Sequence, residues 1–222
     1  MRVGVLGSGL MGDKLGTLFA RAGHEVMFSY ARSGRKLTRL ARQAKGRARA
    51  GTVREAAQHA DALVLAVHWS RIGDILGQTG DLSGKVLITC SLPMNDDDTE
   101  LVVVGTSSGA EELARMVPQA RVVSAFNTVP SEVLFGVYQA RRRASRPSLV
   151  YCGDDRRAKD LAARLIGDVG FAAVDIGPLR MARYTEPFAL LVARIAYGGK
   201  GGPELAYRFE RYRKPPRRSS PL

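Results

Sequence analysis

The sequence predicts an α/β protein of Rossmann-like type: a doubly wound, mostly parallel sheet with a small helical appendage at its C-terminal end. Two observations carry this expectation. Apolar runs of strand length alternate with segments whose apolar residues recur at helical spacing. The first such run leads straight into GSGLMG (Gly7–Gly12), which fits G-x-G-x-x-G. With 24 glycines in 222 residues the spacing alone says little; the strand before it and the helix after it give it meaning.

Met1–Leu6 carries β-branched Val3 and Val5 and reads as a strand buried on both faces. Leu10, Leu15, Leu18 and Phe19 then recur at helical spacing, and the pattern stops at Ala22-Gly23, where a C-terminal glycine is expected. In that setting Gly7 permits the tight turn, Gly9 lets backbone approach a pyrophosphate, and Gly12 lets the helix pack closely on the strand. Ser8, Leu10 and Met11 complete the turn. Free N–H groups and the positive end of the helix dipole face the anion.

The alternation continues with a second strand at His24–Tyr30, a helix at Ser33–Ala44, a short strand at Ala48–Ala50 and a helix at Thr52–Ala60. Strands follow at Asp61–Trp69 and Lys85–Ser91. Ser108 and Glu111 make a capping box for a helix ending at Met116. Ala120–Phe126 and Pro147–Gly153 read as strands, Asp154–Gly170 as a helix with an acidic cap, and Phe171–Gly177 as a strand. Right-handed crossovers would cover both sheet faces. The last helix, from Arg180 to about Gly198, is apolar on more than one face, so it should pack against a core, an adjoining subunit or a flat ligand. Residues 1–177 are thus expected to be the nucleotide-binding domain, 178–210 the helical appendage and 211–222 a disordered basic tail.

Composition narrows the classes. At 222 residues, 45% of them hydrophobic, the chain can bury one sizeable core. Met1 already belongs to a strand, which argues against a cleavable leader, and no apolar stretch reaches the roughly 18 residues a bilayer span needs. A soluble, cytoplasmic protein with no membrane partner is expected. Cys90 and Cys152 end strand-like runs without metal-ligand spacing and read as buried free thiols. The net charge of +13 is spread along the chain except at Arg141–Arg143 and the tail. No aromatic-basic module accompanies it, so it suits a polyanionic small ligand better than a specific nucleic-acid partner.

NAD-binding units usually place an acid after the second strand to hold the ribose 2′-hydroxyl. Here no acid occurs between Glu25 and Glu55. Ser29, Tyr30, Arg32, Ser33, Arg35 and Lys36 stand there instead, and a guanidinium can bond the 2′-phosphate with two donors. NADP is therefore the expected dinucleotide. Ligands of such sheets bind at the carboxyl ends of the strands, which points to Val67, His68 and Trp69, to Cys90–Pro93 and to Ala125–Pro130, including Asn127. His68 reads first as a positioning or wall residue and second as an acid-base group, because no partner carboxylate is evident. No Ser-His-Asp elbow, H-E-x-x-H or lysine-centred dehydrogenase motif occurs. Direct hydride transfer between two cofactors fits, because it needs alignment more than proton transfer.

With these residues in view, residues 1–207 resemble the NADPH-dependent F420 reductase (F420:NADP oxidoreductase) family. The resemblance lies in the glycine turn with AGHEV (Ala22–Val26), in VVSAFNTVPSEVL (Val122–Leu134), in CGDD (Cys152–Asp155) and above all in DIGPLRMARYTEPFALL (Asp175–Leu191). It implies a homodimer in which NADP lies over the glycine turn with coenzyme F420, or FMN or FAD, stacked on the nicotinamide. Gly7, Ser8, Gly9, Leu10 and Met11 would line the pyrophosphate turn, His68, Trp69, Ala125 and Asn127 would border the nicotinamide, and Leu179–Pro187 would help form the acceptor pocket or dimer contact. Family members often carry a compact Gly-Ser-Arg after the second strand, where this chain has Ser29-Tyr30-Ala31-Arg32. Two alternatives stand beside this reading: an NADP-dependent reductase of a small imine or carbonyl, and a non-catalytic NADP-binding sensor. The first normally adds a helical domain of about 100 residues, and after Gly177 only 45 residues remain.

Overall fold

The computed structural model describes residues 1–212, so the expected disordered tail, beyond Tyr212, lies outside the described residues. The first half of the chain runs β1 (Arg2–Leu6), α1 (Leu10–Arg21), β2 (Glu25–Ser29), α2 (Gly34–Ala44), β3 (Arg47–Ala50), α3 (Val53–His59), β4 (Ala62–Leu65), α4 (Ile72–Thr79) and β5 (Val86–Thr89). The second half runs α5 (Gly109–Met116), β6 (Arg121–Ser124), α6 (Val133–Gln139), β7 (Ser148–Gly153), α7 (Arg156–Val169), β8 (Ala172–Asp175) and α8 (Ala182–Gly198). The eight strands of the described residues join one sheet in the order β3-β2-β1-β4-β5-β6-β7-β8. Strands β1 to β6 pair in parallel, β7 meets β6 antiparallel with Ser124 opposite Cys152, and β8 runs parallel to β7.

Alternation along β1 sends Val3 and Val5 to one face and Leu6 to the other. On the first face they meet Leu15, Leu18 and Phe19 of α1, Phe126 and the α7 residues Leu165 and Ile166. On the second, Leu6, Leu63 and Leu65 pack with Ala56 of α3, Ile75 of α4, Leu113 of α5 and Ala182 of α8. Cys90 and Cys152 are free and buried, one in each layer. Burial pushes both thiols up, that of Cys152 to about 12.

Three departures from the sequence expectations bear on the site. Strand β4 ends at Leu65, so Ala66–His68 leave the sheet and Trp69–Arg71 form a 3₁₀ turn. Two short helices, α4 and α6, were not anticipated. Each has seven or eight residues and glycine inside it, too little periodicity for a pattern to register. Finally, the appendage is not helical throughout: after α8 the chain returns to the sheet and is fastened there by Tyr207. The Tyr207 ring meets Phe188 and Phe209 edge-on at centroid distances of 5.1 and 5.4 Å. Its hydroxyl accepts from the Val150 N–H at 3.1 Å and bonds the Thr128 hydroxyl at 2.8 Å.

Candidate functional site

The strand order reverses between β1 and β4, and the ends of these strands open the crevice where ligands of such sheets bind. Two of the three motif glycines are required by the turn itself. Gly7 has φ +124°, and a Cβ there would stand 2.2 Å from the Ala66 carbonyl oxygen; a Cβ on Gly12 would stand 2.1 Å from the carbonyl oxygen of Gly7. A Cβ on Gly9 would meet nothing within 4 Å, so open space lies beside the turn. Gly9 begins α1 from extended backbone without a side-chain cap, which leaves the first-turn N–H groups free for an anion. Among the described residues, five α-helices are entered from extended backbone, and of these α3, α5 and α7 are capped by Thr52, Ser108 and Asp155. Only α1 and α2, which follow β1 and β2, lack such a cap.

Two cavities meet over this turn. A groove of about 1200 Å³ runs past Ser8, Tyr30, Arg32 and Lys36 to Arg71, Asp74 and Gln78 around α4. A second cavity of about 390 Å³ is walled by Leu10, Met11, Met94, Val129 and Pro130, with Asn127, Ser131 and the α8 residues Ala189, Val192 and Tyr197. Gly9, Ala66, Val67 and His68 line both. An extended molecule laid across Gly9 therefore places one end in each cavity. The groove fits an adenosine bearing extra phosphate: the uncapped start of α2, without an acid in its first turn, adjoins Arg32 and Lys36.

Most of the expected residues converge here. The Ser8 hydroxyl donates to the Tyr30 carbonyl at 3.0 Å. Tyr30 adopts φ +61°, a left-handed conformation uncommon for a bulky residue, and its hydroxyl donates to Asp74 at 2.5 Å. Asn127 lines the second cavity and donates to the Ser124 hydroxyl at 3.2 Å. Gly7 and Gly12 shape the turn without lining either cavity, and four further residues stand apart. Ser29 is fully buried and donates its hydroxyl to the Val5 carbonyl within the sheet, at 2.9 Å, so it presents nothing to the groove. Ala125 is fully buried in the core. Trp69 packs against the second hydrophobic layer from its 3₁₀ turn. Ser33 is the start of α2, exposed and lining neither cavity.

His68 has both ring nitrogens engaged. Nδ1 accepts from the Ser70 N–H at 3.2 Å, so Nε2 carries the proton and faces the Asn95 carbonyl at 3.2 Å and Asp98 at 3.3 Å. The partner carboxylate that sequence reasoning did not find lies thirty residues further on, in a loop that His68 ties down beside the cavity. This arrangement suits a wall and positioning residue.

The stretch 175–191 is mostly a clasp. Asp154 accepts from the Leu179 N–H at 2.9 Å, and Arg183 donates two bonds to Glu111 at 2.8 and 2.6 Å. Glu186, 1% exposed, accepts from the Gly109 and Ala110 N–H groups at 2.8 and 3.0 Å and so caps α5 from α8. Burial pushes its carboxyl up to about 7 against the pull of those two bonds. Leu179–Pro187 line neither cavity; Ala189, Val192, Ala193 and Tyr197, one to three turns later, line the second. Sequence reasoning missed Tyr197, Ser131 and Asp74. For Tyr197 the signal was the breadth of the apolar face of α8; for Asp74 there was none. Among the described residues, no group of three His, Cys, Asp or Glu is arranged to hold a metal, and no helix is long and apolar enough to cross a membrane.

Residues 2–93 match the family described as NADP oxidoreductase, coenzyme F420-dependent. The F420-dependent NADP reductase of Methanocaldococcus jannaschii is 26% identical over 156 residues, which cover 67% of this chain and 68% of that protein. Metalloreductase STEAP3 of Rattus norvegicus is 29% identical over 189 residues, 85% of this chain; the chain spans only 36% of that relative's length. A crystal structure provisionally described as an F420-dependent NADP reductase from Arthrobacter sp. FB24 superposes with a TM-score of 0.82 at 24% identity, covering 95% of this chain and 100% of that one. With the glycine turn, the uncapped helix ends and the paired cavities, these likenesses make the chain similar to the coenzyme F420-dependent NADP oxidoreductases, most directly over residues 2–93.

Proposed function

We propose that the protein transfers a hydride between NADP(H) and a flat acceptor ring, the deazaflavin coenzyme F420 or a related flavin. The observation that carries this reading is the pair of cavities joined over Gly9, Val67 and His68: one suits a phosphorylated adenosine, the other is walled largely by apolar side chains. The redox chemistry belongs to the two cofactors, with the nicotinamide supplying or receiving the hydride; the chain supplies alignment. The first-turn N–H groups of α1 hold the pyrophosphate, and Arg32 and Lys36 with the start of α2 hold the 2′-phosphate. Val67 and His68 form the wall between the two ends, and Asn127 offers its amide to the nicotinamide carboxamide. Met11, Met94, Val129 and Val192 keep water from the ring faces. His68, with both nitrogens bound to protein, positions rather than transfers protons.

The protein is further proposed to be a homodimer. Tyr184, Leu191 and Ile195 share one face of α8 and are 69%, 56% and 56% exposed, a stripe that a second copy would cover. A monomeric mass in light scattering at micromolar concentration would exclude it. The functional reading is tested by mixing protein and NADPH anaerobically with coenzyme F420, FMN or FAD in turn and following NADPH oxidation. Rapid turnover with the deazaflavin supports it. Tight NADPH binding without turnover on any acceptor would favour a sensor.

A further inference from the structure

We infer that the α8 end of the second cavity recognises a hydrogen-bond donor on the acceptor ring, namely a ring imide N–H, and that Tyr197 is the specificity-determining residue that receives it. This rests on reading that cavity as the acceptor site.

Lys14 Nζ lies 3.0 Å from Ser131 Oγ, Ser131 Oγ lies 3.2 Å from Glu132 Oε2, and Tyr197 Oη lies 2.9 Å from the same oxygen. An ammonium only donates, so Ser131 accepts from Lys14 and must turn its own proton elsewhere; a carboxylate only accepts, so both Ser131 and Tyr197 give their protons to Glu132. Burial tends to raise the Glu132 carboxyl, but the Tyr197 bond, a backbone bond, the Lys14 charge and the Ser131 bond together hold it below its usual range. Glu132 therefore stays ionised near neutrality and the two protons stay committed. Ser91 donates to the Val67 carbonyl at 2.7 Å. All three hydroxyls lining the cavity can thus meet a ligand only as acceptors, and Asp98 adds a fourth acceptor at the rim. A ligand carrying only carbonyl or anionic groups at this end would face lone pairs. A flat uncharged ring whose edge bears N–H between carbonyls satisfies both the apolar walls and Tyr197.

The test uses 8-hydroxy-5-deazaflavin and its N3-methyl derivative, which lacks the imide N–H. Each is titrated into protein saturated with NADP⁺, so that both rings are oxidised and no hydride moves, and the dissociation constant is read from deazaflavin fluorescence. Wild type should bind the N–H ring about tenfold more tightly than the methylated ring, the worth of roughly one hydrogen bond with its desolvation. Tyr197→Phe should bind both rings equally and weakly while keeping the wild-type affinity for NADP⁺, and in turnover its loss should appear in KM rather than kcat. Equal binding of the two rings by wild type, or discrimination that persists in Tyr197→Phe, overturns the inference alone. Failure of wild type to bind or reduce either ring overturns it together with the acceptor reading.

Discussion

Raising the pH from 5 to 8 should destabilise this protein, and replacing Glu186 should abolish most of the effect. Glu186 is buried between α8 and the start of α5, and its carboxyl stands at about 7 against an ordinary 4.5. In the unfolded chain it ionises near 4.5, whereas in the folded protein it keeps its proton to about 7. The folded state thus binds the extra proton between those values, so stability is full below about pH 4.5 and falls as pH rises through 7. A displacement of about 2.5 pH units corresponds to about 3 kcal/mol. Carboxyls held low by partners, such as Glu25, Asp61 and Glu111, are ionised in both states above pH 5 and drop out of this window. The assay is urea unfolding at half-unit steps from pH 5 to 8. Glu186→Gln, neutral throughout, should flatten the profile, at a pH-independent cost because its amide oxygen can accept from only one of the Gly109 and Ala110 N–H groups; Glu186→Ala should likewise flatten it and lose more stability by leaving both without that acceptor. A wild-type profile that is flat, or that rises with pH, or a Glu186→Gln profile that keeps the wild-type slope, refutes the reasoning.

Three further outcomes are expected. Arg32→Ala should weaken NADPH binding by about 10- to 150-fold, the worth of one charge-assisted hydrogen bond, and leave NADH binding unchanged; calorimetric titration of both nucleotides checks this. Gly12→Ala places a Cβ 2.1 Å from the Gly7 carbonyl oxygen, so it should abolish NADPH binding or soluble expression, whereas Gly9→Ala, with nothing within 4 Å, should fold normally and lose affinity only for the dinucleotide. Tyr207→Phe leaves the Val150 N–H without its acceptor and should cost about 1–3 kcal/mol in chemical denaturation.

The parts legible in the sequence were those fixed by local sterics and periodicity. Gly7 and Gly12 are demanded by contacts within or beside their own turn, and β1, α1 and α7 are long or regular enough to show their period. What escaped depends on the third dimension. Ser29 looked like a phosphate ligand by position, yet its hydroxyl is spent on the neighbouring strand. Trp69 was placed by a strand end that falls earlier than the apolar run suggested, since β4 stops at Leu65, while Ala125 does follow the end of β6 but turns into the core and is fully buried. The stretch Asp175–Leu191 stood out as specific, but its use is to cap α5 from 76 residues away and to pair Arg183 with Glu111, relations no local pattern encodes. Tyr197 and Asp74 entered the cavities through packing of α8 and α4, and the short, glycine-broken α4 left no periodic trace.

The central claim, direct hydride transfer between two rings held across Gly9, is tested most directly by a single anaerobic turnover with NADPH deuterated at the transferring position of the nicotinamide and oxidised coenzyme F420. The expected result is deuterium in the reduced deazaflavin ring at near-stoichiometric yield, with none released to water. Deuterium lost to solvent, or NADPH left unoxidised in a complex that binds it tightly, would contradict the claim.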